Sequence, residues 1–238
     1  LVPIDVSWVP SSMPPRGEAI VWRLVDGKDQ EAEFRWLHHR APGLPLFLVL
    51  PPATELSRSL PLLHYVNVLD PRFVLPHGRM VAPHYLKQLL AAPPQHFAVT
   101  LTDYLTRRGL LTEPRIRNEV RRIFECAPET SSITQLSRRL YTSRRTLGRH
   151  FAAAGLPVPS HWLQFGRLLL ATLQIQTDAT AIFRIASRVG YPDGFTLSNQ
   201  MKRLFGCRPT EVRDRLGWEW VVESWIRQET RAGNFDLF

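Results

Sequence analysis

A pattern that occurs twice between Ile133 and Pro209 constrains the fold of this 238-residue chain more than any other feature. In each copy a short apolar run is followed, after a few turn residues, by a second apolar run with helical spacing. The matching positions are Ile133, Leu136, Ser137, Leu140, Leu147, Phe151 and Pro159 in the first copy and Ile182, Ile185, Ala186, Val189, Leu197, Met201 and Pro209 in the second. The small residues Ser137 and Ala186 are expected where two helices pack most closely across a tight turn. Each copy therefore predicts a helix-turn-helix unit.

The residues around and between the two copies carry a more specific signal than either copy alone. Besides the repeated positions, this signal consists of Ser143, Arg149, Trp162, Leu163, Arg167, Leu168, Ala171, Gly190, Asp193, Lys202, Phe205 and Gly206. With them, residues 116–216 resemble the arabinose-regulator (AraC/XylS) family of bacterial transcription factors. The resemblance implies two helix-turn-helix units joined by a long helix at 160–176. It also implies recognition helices about 34 Å apart, one turn of B-DNA, and double-stranded DNA as the partner.

The net charge of +9 is concentrated on the repeated part of the chain. Residues 113–217 carry 17 Lys and Arg against 8 Asp and Glu, whereas the segments before and after carry net charges of +2 and −2. Such a distribution is typical of a module that binds a polyanion. A basic face that is merely solvated is the alternative interpretation, but it leaves the coincidence of charge and motif unexplained.

Two sets of residues are predicted to contact DNA. Arg is suited to reading bases because its planar fork can donate two hydrogen bonds to guanine O6 and N7. With Ser143 as the predicted N-cap of the first recognition helix, the outward positions are Arg144, Arg145, Gly148, Arg149 and His150. The predicted DNA-binding residues are Ser143, Arg144, Arg145, Gly148, Arg149, Gly194, Phe195, Thr196, Ser198 and Asn199, and the predicted phosphate contacts are Arg138, Arg139, Arg184 and Lys202. Because Asn199 replaces the Arg that is usual in the family, we expect the first unit to read bases more than the second, while phosphate contact remains open for Arg145 and Arg149.

The fold class that these patterns predict is α+β, with a small N-terminal α/β domain followed by an all-α domain that holds the two units. The predicted domains are 1–112, which senses a signal or mediates association, 113–217, which binds DNA, and 218–238, an amphipathic helix and tail. In the first domain we predict strands at 19–25, 46–50, 65–69 and 72–75, helices at 54–64, 80–91 and 97–109, and a partly parallel sheet. Residues 110–114 are the predicted hinge, followed by a helix at 115–126.

Other activities of the N-terminal region are less favoured. Asp70 after a predicted strand suggests a phosphoreceiver, but no acidic cluster accompanies it, and a turn with Pro71 is the simpler interpretation. The histidines lack the helical i, i+4 spacing with a carboxylate that typifies a metal site. The sequence contains no nucleophile elbow or phosphate-binding glycine loop, and Cys126 and Cys207 are interpreted as packing residues. We therefore predict no enzyme activity, no cofactor and no metal.

The C-terminal segment carries an apolar stripe that another surface must cover. Its residues follow the spacing of an amphipathic helix and are Trp218, Val221, Val222, Trp225 and Ile226. The N-terminal domain of the same chain is the favoured cover, and a partner protomer is the alternative.

These observations predict a cytoplasmic transcription regulator that binds duplex DNA, without a membrane span or a secretory leader. RNA polymerase, a second copy of the chain and an unidentified effector are further candidate partners. A protein-interaction adaptor that has lost specific DNA binding is the main alternative, and its support is limited to Gly194, Phe195 and Asn199. An enzyme or DNA-repair effector with a helix-turn-helix appendage lacks any catalytic constellation.

Overall fold

The computed structural model describes residues 19–24, 30–40, 43–52, 60–78, 82–178, 180–213 and 217–235. The chain divides into two compact units, one within residues 1–88 and the other within residues 89–238. The overall α+β class agrees with the prediction, since a small sheet precedes a long helical region. In the part of the chain that the structure describes, no helix has both the length and the apolar character needed to cross a bilayer.

The first unit is built on a parallel three-stranded sheet. Strands β1 (Ile20–Arg23), β2 (Leu46–Val49) and β3 (Phe73–Leu75) lie in the order β1-β2-β3. Strand β2 is central and all four of its residues are buried, as its continuous apolar run requires. Helices α1 (Glu31–His38) and α2 (Leu60–Leu69) contact each other. The described sheet is therefore wholly parallel, where the sequence predicted a partly parallel one.

The strand expected at residues 65–69 is wrong. Residues 65–69, predicted as a strand, belong to helix α2, which packs Tyr65, Val66 and Leu69 against the core of this unit. A short apolar run fits a strand or a buried helix equally well, so periodicity alone could not separate them. Asp70 consequently follows a helix, which removes the basis of the phosphoreceiver interpretation. The predicted helix at 54–64 lies largely outside the described residues.

The second unit is all helical. Helix α3 (Pro83–Ala91) crosses the division between the units and precedes α4 (Phe97–Arg107). The remaining helices are α5 (Pro114–Cys126), α6 (Ile133–Arg139), α7 (Arg144–Ala153), α8 (Pro159–Thr177), α9 (Ile182–Arg188), α10 (Gly194–Phe205), α11 (Pro209–Arg213) and α12 (Glu219–Arg231). Helix α8 joins the two predicted helix-turn-helix units, α6–α7 and α9–α10. Its Trp162 and Phe165 are fully buried, as the sequence predicted for this long connecting helix.

The C-terminal helix α12 is part of the core of the second unit. Trp225 stacks on Phe165 of α8, with ring centroids 4.0 Å apart, and meets the ring of Trp162 edge-on at 4.8 Å. At the start of the helix, Trp218 contacts Tyr104 of α4 edge-on at 5.2 Å. The apolar stripe is therefore covered within the compact unit of residues 89–238, where α12 contacts α4, α8 and α10. The expected cover by residues before 113 holds for α4, whereas α8 and α10 belong to the helix-turn-helix domain itself.

A buried carboxylate joins α12 to the end of α4. Glu223 accepts a 2.7 Å hydrogen bond from the Tyr104 hydroxyl and another of 2.7 Å from Nε of Arg108. Burial and the neighbouring Glu223 carboxylate raise the pKa of Tyr104 well above its usual value. Leu110 and Leu111 are buried in the same core, so residues 110–114 do not form a hinge between two cores. The structure divides near residue 89 instead of at the predicted boundary of 112.

The position of this division can be tested with shortened chains. A chain of residues 89–238 should unfold cooperatively, because it keeps the whole second core. A chain of residues 113–238 loses Leu101, Leu105 and Leu111, and losing several buried leucines at about 2–5 kcal/mol each would exhaust a typical domain stability of about 5–15 kcal/mol. Urea denaturation followed by circular dichroism compares the two. Equally cooperative unfolding of both chains would place the division back at residue 112.

Candidate nucleic-acid interface

The first recognition helix, α7, is fixed by its cap and by its buried face. The Ser143 hydroxyl accepts a 3.0 Å hydrogen bond from the backbone N–H of Thr146, as predicted for an N-cap. Leu147 and Phe151 point into the core. The opposite face carries three exposed arginines with one small, half-buried residue among them, namely Arg144, Arg145, Arg149 and Gly148. The structure thus brings together all the residues of the first helix-turn-helix unit that were predicted to contact bases.

His150 does not belong to this exposed face. Its side chain is only 17% exposed, and its Nδ1 lies 2.7 Å from Oε1 of Glu119 on α5. Its Nε2 lies 2.8 Å from Nη2 of Arg115. The predicted outward position of His150 is therefore wrong, because the last turn of α7 packs against α5. Sequence reasoning did not single out Glu119, since its partner is 31 residues away and follows no local pattern.

The second recognition helix, α10, begins with the same kind of cap. Asp193 accepts a 2.6 Å hydrogen bond from the backbone N–H of Thr196 on Oδ1, and the Thr196 hydroxyl lies 3.1 Å from Oδ2. These hydrogen bonds hold the pKa of Asp193 below its usual value. Leu197 and Met201 are fully buried, as the repeated apolar pattern predicts. The side chain of Asn199 is exposed and that of Ser198 is half-buried.

The matching caps establish which residues of the two recognition helices are equivalent. Ser143 and Asp193 each cap a helix three residues before a threonine that donates back to it, and a buried leucine follows in both helices. Counting from these caps, Arg144 matches Gly194, Arg145 matches Phe195, and Arg149 matches Asn199. Each arginine of the first recognition helix thus has an uncharged counterpart in the second recognition helix.

The predicted phosphate contacts lie on exposed parts of both units. Arg138, Arg184 and Lys202 are exposed. Arg139 is also exposed but forms a 2.7 Å ion pair with Glu129. A surface ion pair of this kind is worth about 0–1 kcal/mol, so it would not prevent Arg139 from meeting a phosphate.

Arg167 of the connecting helix links the two helix-turn-helix units by hydrogen bonds. Its Nε and Nη2 donate to the carbonyl oxygen of Val189, at 2.9 and 2.7 Å, and Nη2 also donates to that of Gly190 at 2.7 Å. On the other side, Nη1 donates to the carbonyl oxygen of Ser131 at 3.3 Å, just before the first unit. The side chain is 8% exposed, and its guanidinium lies 4.5 Å from the centre of the Tyr191 ring. The sequence marked Arg167 by its position in the family pattern but did not indicate this role.

A second set of hydrogen bonds joins α8 to the recognition helix α10. The amide of Gln164 donates to Gln200 at 2.7 Å, and Arg203 donates to the Gln164 oxygen at 3.0 Å. Burial raises the pKa of the neighbouring Tyr191 phenol, against the opposing charge of Arg167. Helix α8 therefore positions the second recognition helix through polar contacts as well as through the core.

Gly190 allows the close approach of Arg167, and two matched substitutions test this. Gly190 has a φ of +75°, and a Cβ added there would lie 2.8 Å from Nη2 of Arg167. Gly109 has the same φ, but no atom lies within 4 Å of an added Cβ. Gly109→Ala should cost about 1–2 kcal/mol of unfolding free energy for the left-handed backbone. Gly190→Ala should cost at least about 1 kcal/mol more, because hydrogen bonds to backbone carbonyls hold the guanidinium in place.

Chemical denaturation of the two variants measures the difference. Equal losses would mean that the Arg167 side chain moves aside freely, and that its hydrogen bonds do not fix the second unit.

Several known proteins are similar to this chain. A family model described as a helix-turn-helix domain matches residues 136–215. The DNA-binding domain of AdpA, described as the global transcriptional factor in complex with a target DNA, is 28% identical over 41% of this chain and 87% of that chain, with a TM-score of 0.36. The xylose-binding transcription activator XylR is 15% identical over 79% of this chain and 58% of that chain, with a TM-score of 0.39. No curated protein matches the chain. Residues 136–215 of this chain are a helix-turn-helix domain of the AraC type.

Proposed function

We propose that this chain is a sequence-specific transcription regulator that binds duplex DNA through helices α7 and α10. The observation that carries the proposal is the pair of helices α7 and α10, which are capped in the same way. Each has its apolar side in one shared core and its other side exposed. A recognition helix in a major groove needs this arrangement, since the core fixes its direction and the exposed side chains reach base edges.

The charge of the domain supports the same function. The whole net charge of +9 resides in residues 113–217, where exposed arginines lie on and beside the first recognition helix. Arg145 and Arg149 are four residues apart on one helix and so project toward the same groove. We assign them to base contacts. Arg138, Arg139, Arg184 and Lys202 are assigned to phosphates, which fix the position of the domain without reading sequence.

The N-terminal compact unit, within residues 1–88, has its own role in this proposal. It has its own apolar core, built around Trp22, Leu46 and Leu48, and is compact by itself. A separate core suits a unit that binds an effector or associates with a second copy of the chain, while the helical unit contacts DNA and RNA polymerase. The regulator would act in the cytoplasm, where bacterial DNA is found.

One observation favours a second candidate function. Phe195 is 76% exposed and Phe183 is 61% exposed. They lie near the starts of α10 and α9, the two helices of the second helix-turn-helix unit. Exposed aromatic side chains are also typical of protein–protein interfaces. A chain that uses this surface to bind another protein would retain the fold and lose specific DNA binding.

Selection of bound duplexes from a random pool distinguishes the two functions. A regulator should enrich one sequence, and the logarithm of its affinity should fall linearly with the logarithm of salt concentration, by about 0.9 for each phosphate contact. No enriched sequence, or an affinity that hardly changes between low and physiological salt, would favour the protein-binding alternative.

Single substitutions then test which unit reads bases. Arg149→Ala should weaken binding to the selected site by about 1–3 kcal/mol and relax the preference at one base pair. Asn199→Ala should cost less, unless its amide makes a bidentate contact to adenine. Arg107→Ala is a matched control, since this exposed arginine lies on α4, which carries no predicted contact.

Affinities for the selected site and for each of its single-base variants decide the assignment. Equal losses on all sequences would make Arg149 a phosphate contact, and a larger effect of Asn199→Ala would make the second unit the principal reader.

A further inference from the structure

A large apolar side chain is exposed on the second recognition helix. Phe195 lies in the first turn of α10 and is 76% exposed. Residues near the N-terminus of a recognition helix are the ones that reach base edges in a major groove. An aromatic ring left in water at this position gains nothing from the folding of the chain itself, since it would lose its water contacts only when a ligand covers it.

The polar groups beside Phe195 are already engaged with one another. Both carboxylate oxygens of Asp193 contact Thr196, one the backbone N–H and the other the hydroxyl. Gly194, between Asp193 and Phe195, has no side chain to offer. The negative charge of Asp193 also disfavours a phosphate at this helix start, because it cancels the positive end of the helix dipole. The first turn of α10 thus presents Phe195 to a base more readily than to the DNA backbone.

The equivalence of the caps places Phe195 where the first unit has Arg145. In both helices the residue is the second after the cap and immediately precedes the threonine that donates back to it. If Arg145 reaches a base edge in one major groove, Phe195 occupies the equivalent position in the next major groove. The same position therefore carries a cation in one unit and an aromatic ring in the other.

A phenyl ring cannot make the hydrogen bonds that distinguish most base edges. The apolar feature in the major groove is the C5-methyl group of thymine, and Phe is among the side chains that contact it. We propose that Phe195 recognises a thymine methyl group, so that the second unit reads one T·A pair by apolar contact. This inference rests on the proposed DNA-binding function and names the chemistry that its second recognition helix reads.

A second exposed aromatic residue provides an internal control. Phe183 lies in the first turn of α9 and is 61% exposed, with the Arg184 guanidinium 5.7 Å from its ring centre. The start of α10 lies against α9, since a Cβ added at Gly194 would be in ordinary van der Waals contact with the backbone nitrogen of Phe183, at 3.5 Å. Phe183 is thus close to α10 in space but belongs to the helix that precedes the recognition helix. It shares the exposure of Phe195 but not its position on α10.

The test compares thymine with deoxyuridine, which lacks the C5-methyl group. Each thymine of a duplex selected from a random pool is replaced in turn, and the affinity of the full chain is measured for the wild type, Phe195→Ala and Phe183→Ala. For the wild type, one replacement should weaken binding about fourfold, the affinity equivalent of removing one methyl group from an apolar contact. Phe195→Ala should bind both duplexes equally at that position, whereas Phe183→Ala should keep the fourfold difference.

The outcomes separate this inference from the proposed function. Specific binding without any thymine whose methyl group matters, or a methyl effect that persists in Phe195→Ala, would overturn the inference and leave the regulator function intact. An absence of any selected sequence would overturn both. Dissociation of a dimer of the chain by Phe195→Ala, with an unchanged pattern of base preference, would assign the ring to a protein contact and overturn the inference.

Discussion

The arrangement of the two helix-turn-helix units depends on the guanidinium of Arg167. Burying a charge is costly unless its hydrogen-bonding groups find partners, and here the partners are carbonyl oxygens of Val189, Gly190 and Ser131. The first two follow the end of α9, where the helix dipole also favours a cation. One side chain of the connecting helix therefore fixes the turn of the second unit and the segment that enters the first. Loss of this contact would remove one direct link between the two helix-turn-helix units, which also share an apolar core.

The C-terminal helix also packs on the connecting helix. Trp225 covers Phe165 and Trp162 of α8, and α12 contacts the recognition helix α10 as well. The hydrogen bonds of Glu223 to Tyr104 and Arg108 extend this core to α4. The folded unit is consequently larger than the segment that carries the family pattern, and its stability depends on residues both before and after that segment.

The sequence predicted the helices of residues 89–238 well, because caps and apolar spacing there are local signals. Ser143 and the stripe containing Trp225 are examples, since a cap or a helical face needs only neighbours within one or two turns. The errors arise where a partner is distant in sequence. His150 faces outward on an isolated helix but lies against Glu119, and the cover of α12 could not be read from its own residues. In the compact unit within residues 1–88, the run at 65–69 had no local feature that distinguishes a helix from a strand. Helix α1 (Glu31–His38) of the same unit was not predicted.

The two recognition helices share one architecture but present different chemistry, and this limits what each can contribute. A bidentate contact from Arg to guanine discriminates by about 1–3 kcal/mol and can also attract DNA from a distance through its charge. An apolar contact to one methyl group is worth about 0.8 kcal/mol and acts only after the surfaces meet. Under the proposed assignment, the arginines of helix α7 provide more sequence discrimination than the equivalent side chains of α10. Phe195 and Asn199 can refine the choice of site without adding to the salt dependence of binding, which in the second helix-turn-helix unit comes from Arg184 and Lys202.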